Sequence, residues 1–291
     1  MSGASRRLGR LGSLLAAGLV PFAGGAAAIE PGPITATSFN IRFGTAEDGE
    51  NRWERRRESV FEALREGGDL LGLQEALPFQ VREVAKALTG FAFESRGRDA
   101  EPDGGEACPI FWRTDRYALD RDDRGTFWLS ETPDTPGSRS WDSSLPRIAT
   151  FVRLVDRTDG SGIYVFNTHL DHRGERARAE GARVIAGRIA ARKRPADPVI
   201  VLGDFNDGPG SAAIRALRDR GLVDAWRAAN PAAAESGTFN GWKDKVAGER
   251  IDFILASPEL AVVSATIDDR RPHGRWPSDH LPVRATFRRK P

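Results

Sequence analysis

Several apolar, strand-like runs of this sequence finish on residues of one chemical kind. Asn40 closes the first, Glu75 the second, Asn167 with His169 and Asp171 a third, and Asp204 with Asn206 a fourth, while Asp279 and His280 open a fifth. Carboxylate and amide oxygens are hard donors suited to Mg²⁺, Mn²⁺ or Ca²⁺, and a histidine beside carboxylates can move a proton near neutral pH. The Cys/His spacing of a structural zinc site is missing from the chain. Taken singly, each residue has a plainer use. Asn40 could close a turn, Glu75 could cap a helix opened by Pro78, and Asp204 with Asn206 could simply precede the Gly208-Pro209 turn. Two of the four histidines, His169 and His280, nevertheless fall in these runs. In "PVIVLGDFND" an extended strand would point Asp204 and Asn206 to one side and Phe205 to the other, leaving Asp207 to the turn. Asp171 and His172 stand evenly between a supporting role and a solvated loop, and His273 reads as surface.

The elements that would position these residues alternate. Residues 34–43 have strand composition, and 53–68 place Trp53, Val60, Phe61 and Leu64 on one helical face ahead of Gly67-Gly68. A buried strand over 69–75 and a helix over 78–90, opened by Pro and closed by Gly, follow. From Phe91 to about Asp159 the pattern is one of successive strands: "FAFESRGR", "ACPIFWR", "GTFWLSE" and "RIATFVRLVD". Strand 163–172, helix 174–193, strand 198–206 and a Ser-capped helix over 211–221 restore the α/β rhythm, and 250–257, 260–268 and 279–287 read as closing strands. "TSFNI" and "LGLQE" echo "VFNTH" and "VLGDFN", each pair with a helix between. Two similar strand–helix–strand halves would bring their polar ends to one edge, which is where ligands gather in open α/β sheets.

The first 28 residues carry Arg6, Arg7 and Arg10, an apolar run and an Ala26-Ala27-Ala28 site, the pattern of an export signal. The paired arginines favour the twin-arginine route to the periplasm or exterior over an ordinary Sec signal. Residues 29–291 then form one domain, with structure from about Ile34 to Arg288. The formal charge is +2, and the three N-terminal arginines exceed it. A near-neutral mature chain lacks the broad basic field of a non-specific nucleic-acid binder. No run is long and apolar enough to span a membrane. Cys108, the single cysteine, excludes an intramolecular disulfide, and its apolar neighbours read as a buried site.

The ordered set "SFNIRF", "GLQE", "FNTHLDH", "GDFND", "RIDFIL" and "SDHLPV", spanning residues 38–283, resembles the endonuclease/exonuclease/phosphatase superfamily. The resemblance implies a four-layer α/β sandwich, two mixed β-sheets face to face flanked by helices, and Mg²⁺-dependent attack of water on a phosphoester. It casts Glu75 as the principal metal carboxylate, with Asn40 and Asp279 as further ligands or water-holders. His280 would activate or orient the water and contact the phosphate, Asp204 hold the nucleophile, Asn206 bind a phosphoryl oxygen, and Asp252 orient the set. His169 would assist the leaving group, paired with Glu106, and Arg147 would contact substrate. Trp141, with Trp128 and Trp242, offers a stacking platform at the mouth or packs within loops, and Arg96 and Arg98 could meet a second phosphate or solvate a turn. A phosphodiesterase or phosphatase for small organic phosphates, acting as a monomer, leads. A secreted nuclease is the runner-up, disfavoured by charge; a carbohydrate-active hydrolase using paired carboxylates and a non-catalytic binding module are the rivals from other classes.

Overall fold

A computed structural model describes residues 1–4 and 32–291, and Pro31–Pro291 is one compact unit. The expected export signal lies outside the described residues. The strands are β1 (Ile34–Asn40), β2 (Leu70–Gln74), β3 (Phe91–Glu94), β4 (Ile110–Arg113), β5 (Tyr117–Trp128), β6 (Ile148–Asp156), β7 (Gly162–His169), β8 (Val199–Asp204), β9 (Val223–Asp224), β10 (Asp252–Ala256), β11 (Leu260–Ile267) and β12 (Val283–Arg289). The helices are α1 (Trp53–Arg65), α2 (Pro78–Ala87), α3 (Glu175–Ala190), α4 (Ala212–Arg218) and α5 (Ala225–Ala229).

Two six-stranded sheets form, in the orders β11-β12-β1-β2-β4-β3 and β5-β6-β7-β8-β10-β9. Position for position they share one pattern: β1 runs parallel to β2 and β7 parallel to β8, and every other neighbour is antiparallel. The parallel pairs are those that require a helical crossover, and α1 and α3 supply it. Ile34, Leu70, Ile110, Val152, Val165, Ile200, Leu202, Ile254 and Phe287 fill the space between the sheets. The other face of the first sheet packs with residues of α1 and α2, and that of the second with α3 and α4. This is the expected four-layer α/β sandwich.

Three elements depart from the sequence reading. β5 starts at Tyr117, well before "GTFWLSE", because an irregularity between Leu119 and Arg124 interrupts its pairing with β6 and hides the alternation. The two-residue β9 and five-residue α5 are too short to carry a period. At the end of β8 the chain leaves the extended conformation: Phe205 is fully buried against Phe253, but Asn206 has φ 49°. Asn206 therefore reaches the site from a left-handed turn and not, as expected, from the same strand face as Asp204. Cys108 is buried as expected, and burial pushes its thiol up to about 12.

Candidate active site

The ends of β1, β2, β7 and β8 and the starts of β10 and β12 meet at one edge of the sandwich. The junction is built from Asx turns. Asn40 Oδ1 accepts from Arg42 N at 2.9 Å and Asp204 Oδ1 from Asn206 N at 2.9 Å, with Arg42 at φ 56° and Asn206 at φ 49°. Left-handed backbone is costly for a side-chain-bearing residue, and the cap at each turn offsets part of that cost. Glu75, one residue past β2, is also left-handed (φ 60°). Its carboxylate takes N–H donors from Phe43 at 3.0 Å and from the Asn40 amide at 3.0 Å. The same Asn40 amide donates to Asp204 Oδ2 at 2.9 Å, joining the two sheets. Just beneath, Gln74 Nε2 donates to Asn167 Oδ1 at 2.6 Å, and Asn167 Nδ2 donates to the carbonyls of Leu73 and Pro109 at 2.7 and 2.9 Å.

Above this layer lies a cleft of about 440 Å³, lined by Glu75, Glu106, His169, Asp204, Asn206, Asp279, His280, Arg42, Arg98, Arg147, His172 and Phe239 among others. His280 Nδ1 lies 2.9 Å from Asp252 Oδ2, and its Nε2 lies 3.8 Å from Asp204 Oδ2. Burial opposes a charged ring, but Asp252 and then Asp204 outweigh it and raise the proton affinity of His280. Burial and the neighbouring Asp252 charge in turn raise Asp204. His169 goes the other way: burial and the Arg147 charge hold it well below its ordinary value, as a neutral ring 2.9 Å from the Asn206 amide.

The profile of the Endonuclease/Exonuclease/phosphatase family matches residues 37–280. The chain belongs to this family. A family protein of Bacteroides thetaiotaomicron is 31% identical, over 89% of this chain and 98% of its own, with TM-score 0.80. A Bacteroides vulgatus member is also 31% identical, over 89% and 100%, with TM-score 0.82. A mannosyl-6-phosphatase of B. thetaiotaomicron matches at 31% identity over 87% and 99%, with TM-score 0.79. Human nocturnin, at 23% identity over 91% and 97% and TM-score 0.70, shares the fold. Among curated proteins, none matches this chain. Members of the family act on phosphoester bonds, and the chain is a hydrolase of that kind.

The family's divalent cation has a fitting donor set here. Glu75 and Asp279 line the same cleft, and burial together with the Glu75 charge raises the proton affinity of Asp279. Crowded carboxylates at the mouth of a cleft are what a hard dication relieves. A second cluster, Asp204, Asp252 and His280, has potential ligand atoms within 4.8 Å of one another, but there His280 Nδ1 is already bonded to Asp252 at 2.9 Å, with Asp204 3.8 Å from its Nε2. Asn40, expected as a ligand or water-holder, clamps Glu75 to Asp204 through its Nδ2, while its Oδ1 accepts from Arg42 N and keeps a second lone pair.

Two expectations are corrected. Glu106 lines the cleft, yet it pairs with Arg98 at 2.7 Å, and among the described residues no hydrogen bond joins it to His169. The guanidinium takes the carboxylate, so His169 is not made more basic. Trp141 is not among the cleft-lining residues, Trp128 is buried with its indole N–H on the Arg98 carbonyl at 2.6 Å, and Trp242 lies against Arg56. The aromatic wall is instead Phe239, 46% exposed and edge-to-face with His280 at 5.0 Å. Arg147 lines the cleft as expected, and buried Asp171 holds it: Asp171 accepts from Arg147 Nε at 3.4 Å, Ser144 Oγ at 2.7 Å and Gly174 N at 2.8 Å.

Arg56 escaped the sequence reading. In "WERRRESV" it looks like one more solvated arginine, but it is buried, donating to the carbonyls of Ile41 at 2.6 Å, Arg42 at 2.9 Å, Asn51 at 2.9 Å and Pro277 at 3.0 Å. The only available clue was its spacing, three residues after Trp53 and four before Val60 on the apolar face.

Proposed function

We propose that this protein is a Mg²⁺-dependent hydrolase of small organic phosphoesters. The observation that carries the reading is the meeting, in one cleft, of Glu75 and Asp279 with Asp204, Asn206, His169 and His280. The relative named as a mannosyl-6-phosphatase, 31% identical over nearly its whole length, supports a small phosphate ester as substrate. The arginine-bearing apolar N-terminus supports an exported enzyme, periplasmic or secreted.

Glu75 and Asp279 would hold the cation, which would supply charge neutralisation for phosphoryl oxygens. The raised proton affinity of Asp204 makes it the base that takes the proton of the attacking water. His280, its ring turned by Asp252, keeps a proton and so donates to a phosphoryl oxygen instead of activating the water. Asn206, fixed by its left-handed turn, presents its amide on the same side as His169, and the neutral His169 acts through hydrogen bonding at the ester.

The test is a phosphoester panel, including p-nitrophenyl phosphate, its bis ester, sugar phosphates and oligonucleotides, with divalent metals added singly. Turnover should need a divalent ion and stop with EDTA, and Glu75→Gln should lower kcat at least about 10²-fold. Hydrolysis that survives EDTA, or a Glu75→Gln protein with full activity, would overturn the reading.

A further inference from the structure

The cleft that holds Glu75 also holds an imidazole whose tautomer is fixed by its neighbour. Arg147 Nη2 lies 3.0 Å from His172 Nδ1. A guanidinium can only donate, so Nδ1 must accept, and the proton of the neutral ring is forced onto Nε2. The ring lines the cleft and is exposed, and among the described residues Nε2 has no protein partner. Burial of the site and the Arg147 charge both disfavour a second proton on the ring.

The cations that line the cleft are already paired. Arg42 is bonded to Asp48 through two nitrogens at 3.1 Å, Arg98 to Glu106 at 2.7 Å and Arg147 to Asp171 at 3.4 Å. His280 stands between Asp252 and Asp204. Each cationic side chain lining the cleft therefore already faces a carboxylate, which weakens its pull on a second phosphate group; Arg173, whose charge also reaches His172, is exposed and outside the cleft lining. A neutral hydroxylated group fits better, because a hydroxyl both accepts and donates. It can accept from His172 Nε2–H and donate to Glu106, while the exposed face of Phe239 can cover the C–H surface of a ring.

Resting on the phosphoester reading above, we propose that His172 is a specificity residue. Its Nε2–H donates to a hydroxyl oxygen of the alcohol that carries the phosphate, so that the cleft selects phosphomonoesters of polyhydroxylated alcohols over polyanionic phosphodiesters.

The experiment compares kcat and KM for a hexose 6-phosphate, p-nitrophenyl phosphate and a deoxyoligonucleotide, each with the intact wild-type, His172→Ala and His172→Gln proteins. In His172→Ala the ratio of kcat/KM for the hexose phosphate to that for p-nitrophenyl phosphate should fall about three- to tenfold, the worth of one neutral hydrogen bond. The change should sit in KM. His172→Gln, which keeps one acceptor for Arg147 and one donor for substrate, should restore most of it. An equal loss on both esters, or no rescue by glutamine, would overturn the assignment, as would a wild-type protein that prefers the oligonucleotide. A wild-type protein inert toward every ester with every metal would instead refute the underlying phosphoesterase reading.

Discussion

Asp204 lies buried between Asp252 and His280, and its two protonation states belong to different steps of the chemistry. Burial and the Asp252 charge raise it to about 7 from an ordinary 3.8, so its carboxylate form, the one able to take a proton from water, grows in only near neutrality. With metal saturating, kcat/KM should therefore rise with pH along a limb that falls between about pH 5 and 8, and a rate that does not change over that range would remove Asp204 as the base. The stability effect has the opposite sign. A folded-state affinity raised above the unfolded one means that the native protein binds this proton more tightly, so the contribution of Asp204 to stability declines as pH rises from about 4 to 7. Asp204→Asn should then lower kcat by about 10² to 10⁴ and yet raise the Tm of the metal-free protein at pH 8, since the amide still caps Asn206 without a buried charge. A lower Tm would mean that the Asn40 and Asn206 bonds outweigh the charge burial. The members of this constellation were legible because polar residues at the ends of apolar runs are unusual and came in five such runs, within six motifs in order. Their partners were not: whether Glu106 turns to His169 or to Arg98 is decided by a loop geometry that leaves no periodic trace in sequence.

Helix α1 does more than cross over between β1 and β2. Through Arg56 it grips the turn after β1 and the Pro277 carbonyl, just ahead of Ser278, whose hydroxyl donates to the Asn40 carbonyl at 2.7 Å. Two motifs 238 positions apart are thus fixed to one guanidinium and one hydroxyl. Burial lowers Arg56 to about 10, still charged at neutral pH. Arg56→Met would keep the contact with Trp53 and strand four carbonyls, at about 3 kcal/mol or more, which corresponds to a fall in Tm of roughly 6–12 °C for a chain of this size. A loss under about 1 kcal/mol would show that water replaces the guanidinium. Asp171 plays the matching part for the loop that carries Arg147. Despite burial, the N–H groups of Gly174 and Arg173 and the Ser144 hydroxyl hold its carboxyl well below the usual range. A depressed affinity contributes stability above the unfolded value near 4 that is lost as pH falls. The Tm deficit of Asp171→Asn should accordingly be large at pH 7 and shrink below pH 4, and a deficit independent of pH would make it a packing effect. The sequence left Asp171 between support and solvent because its seven-residue motif is the same either way; only the loop at 143–147 folding back onto it decides.

The molecule as a whole is two copies of one strand order closed face to face, and its active site needs a member from each. That much followed from the repeated strand–helix–strand pattern, but how closely the sheets approach depends on pairs of side chains that no pattern reveals. Gly72 is such a place. It sits in β2 opposite Ser38 and Ile110, and a Cβ there would lie 2.8 Å from Leu202 Cδ1 and 2.9 Å from Asn167 Cγ, both on the facing sheet. Asn167 cannot yield freely, because it accepts from Gln74 and donates to the Leu73 and Pro109 carbonyls. Gly72→Ala should cost about 1–3 kcal/mol by overpacking, and because Glu75 and Asp204 belong to different sheets, kcat should fall along with Tm. Asn167→Ala removes the obstacle but also the clamp. If the clash with Asn167 is the cause, the double variant will be less destabilised than the sum of the single ones, with a coupling of roughly 0.5–3 kcal/mol. Strict additivity in the denaturant midpoints would place the obstruction at Leu202 instead, and the Gly72→Ala/Leu202→Ala pair should then carry the coupling.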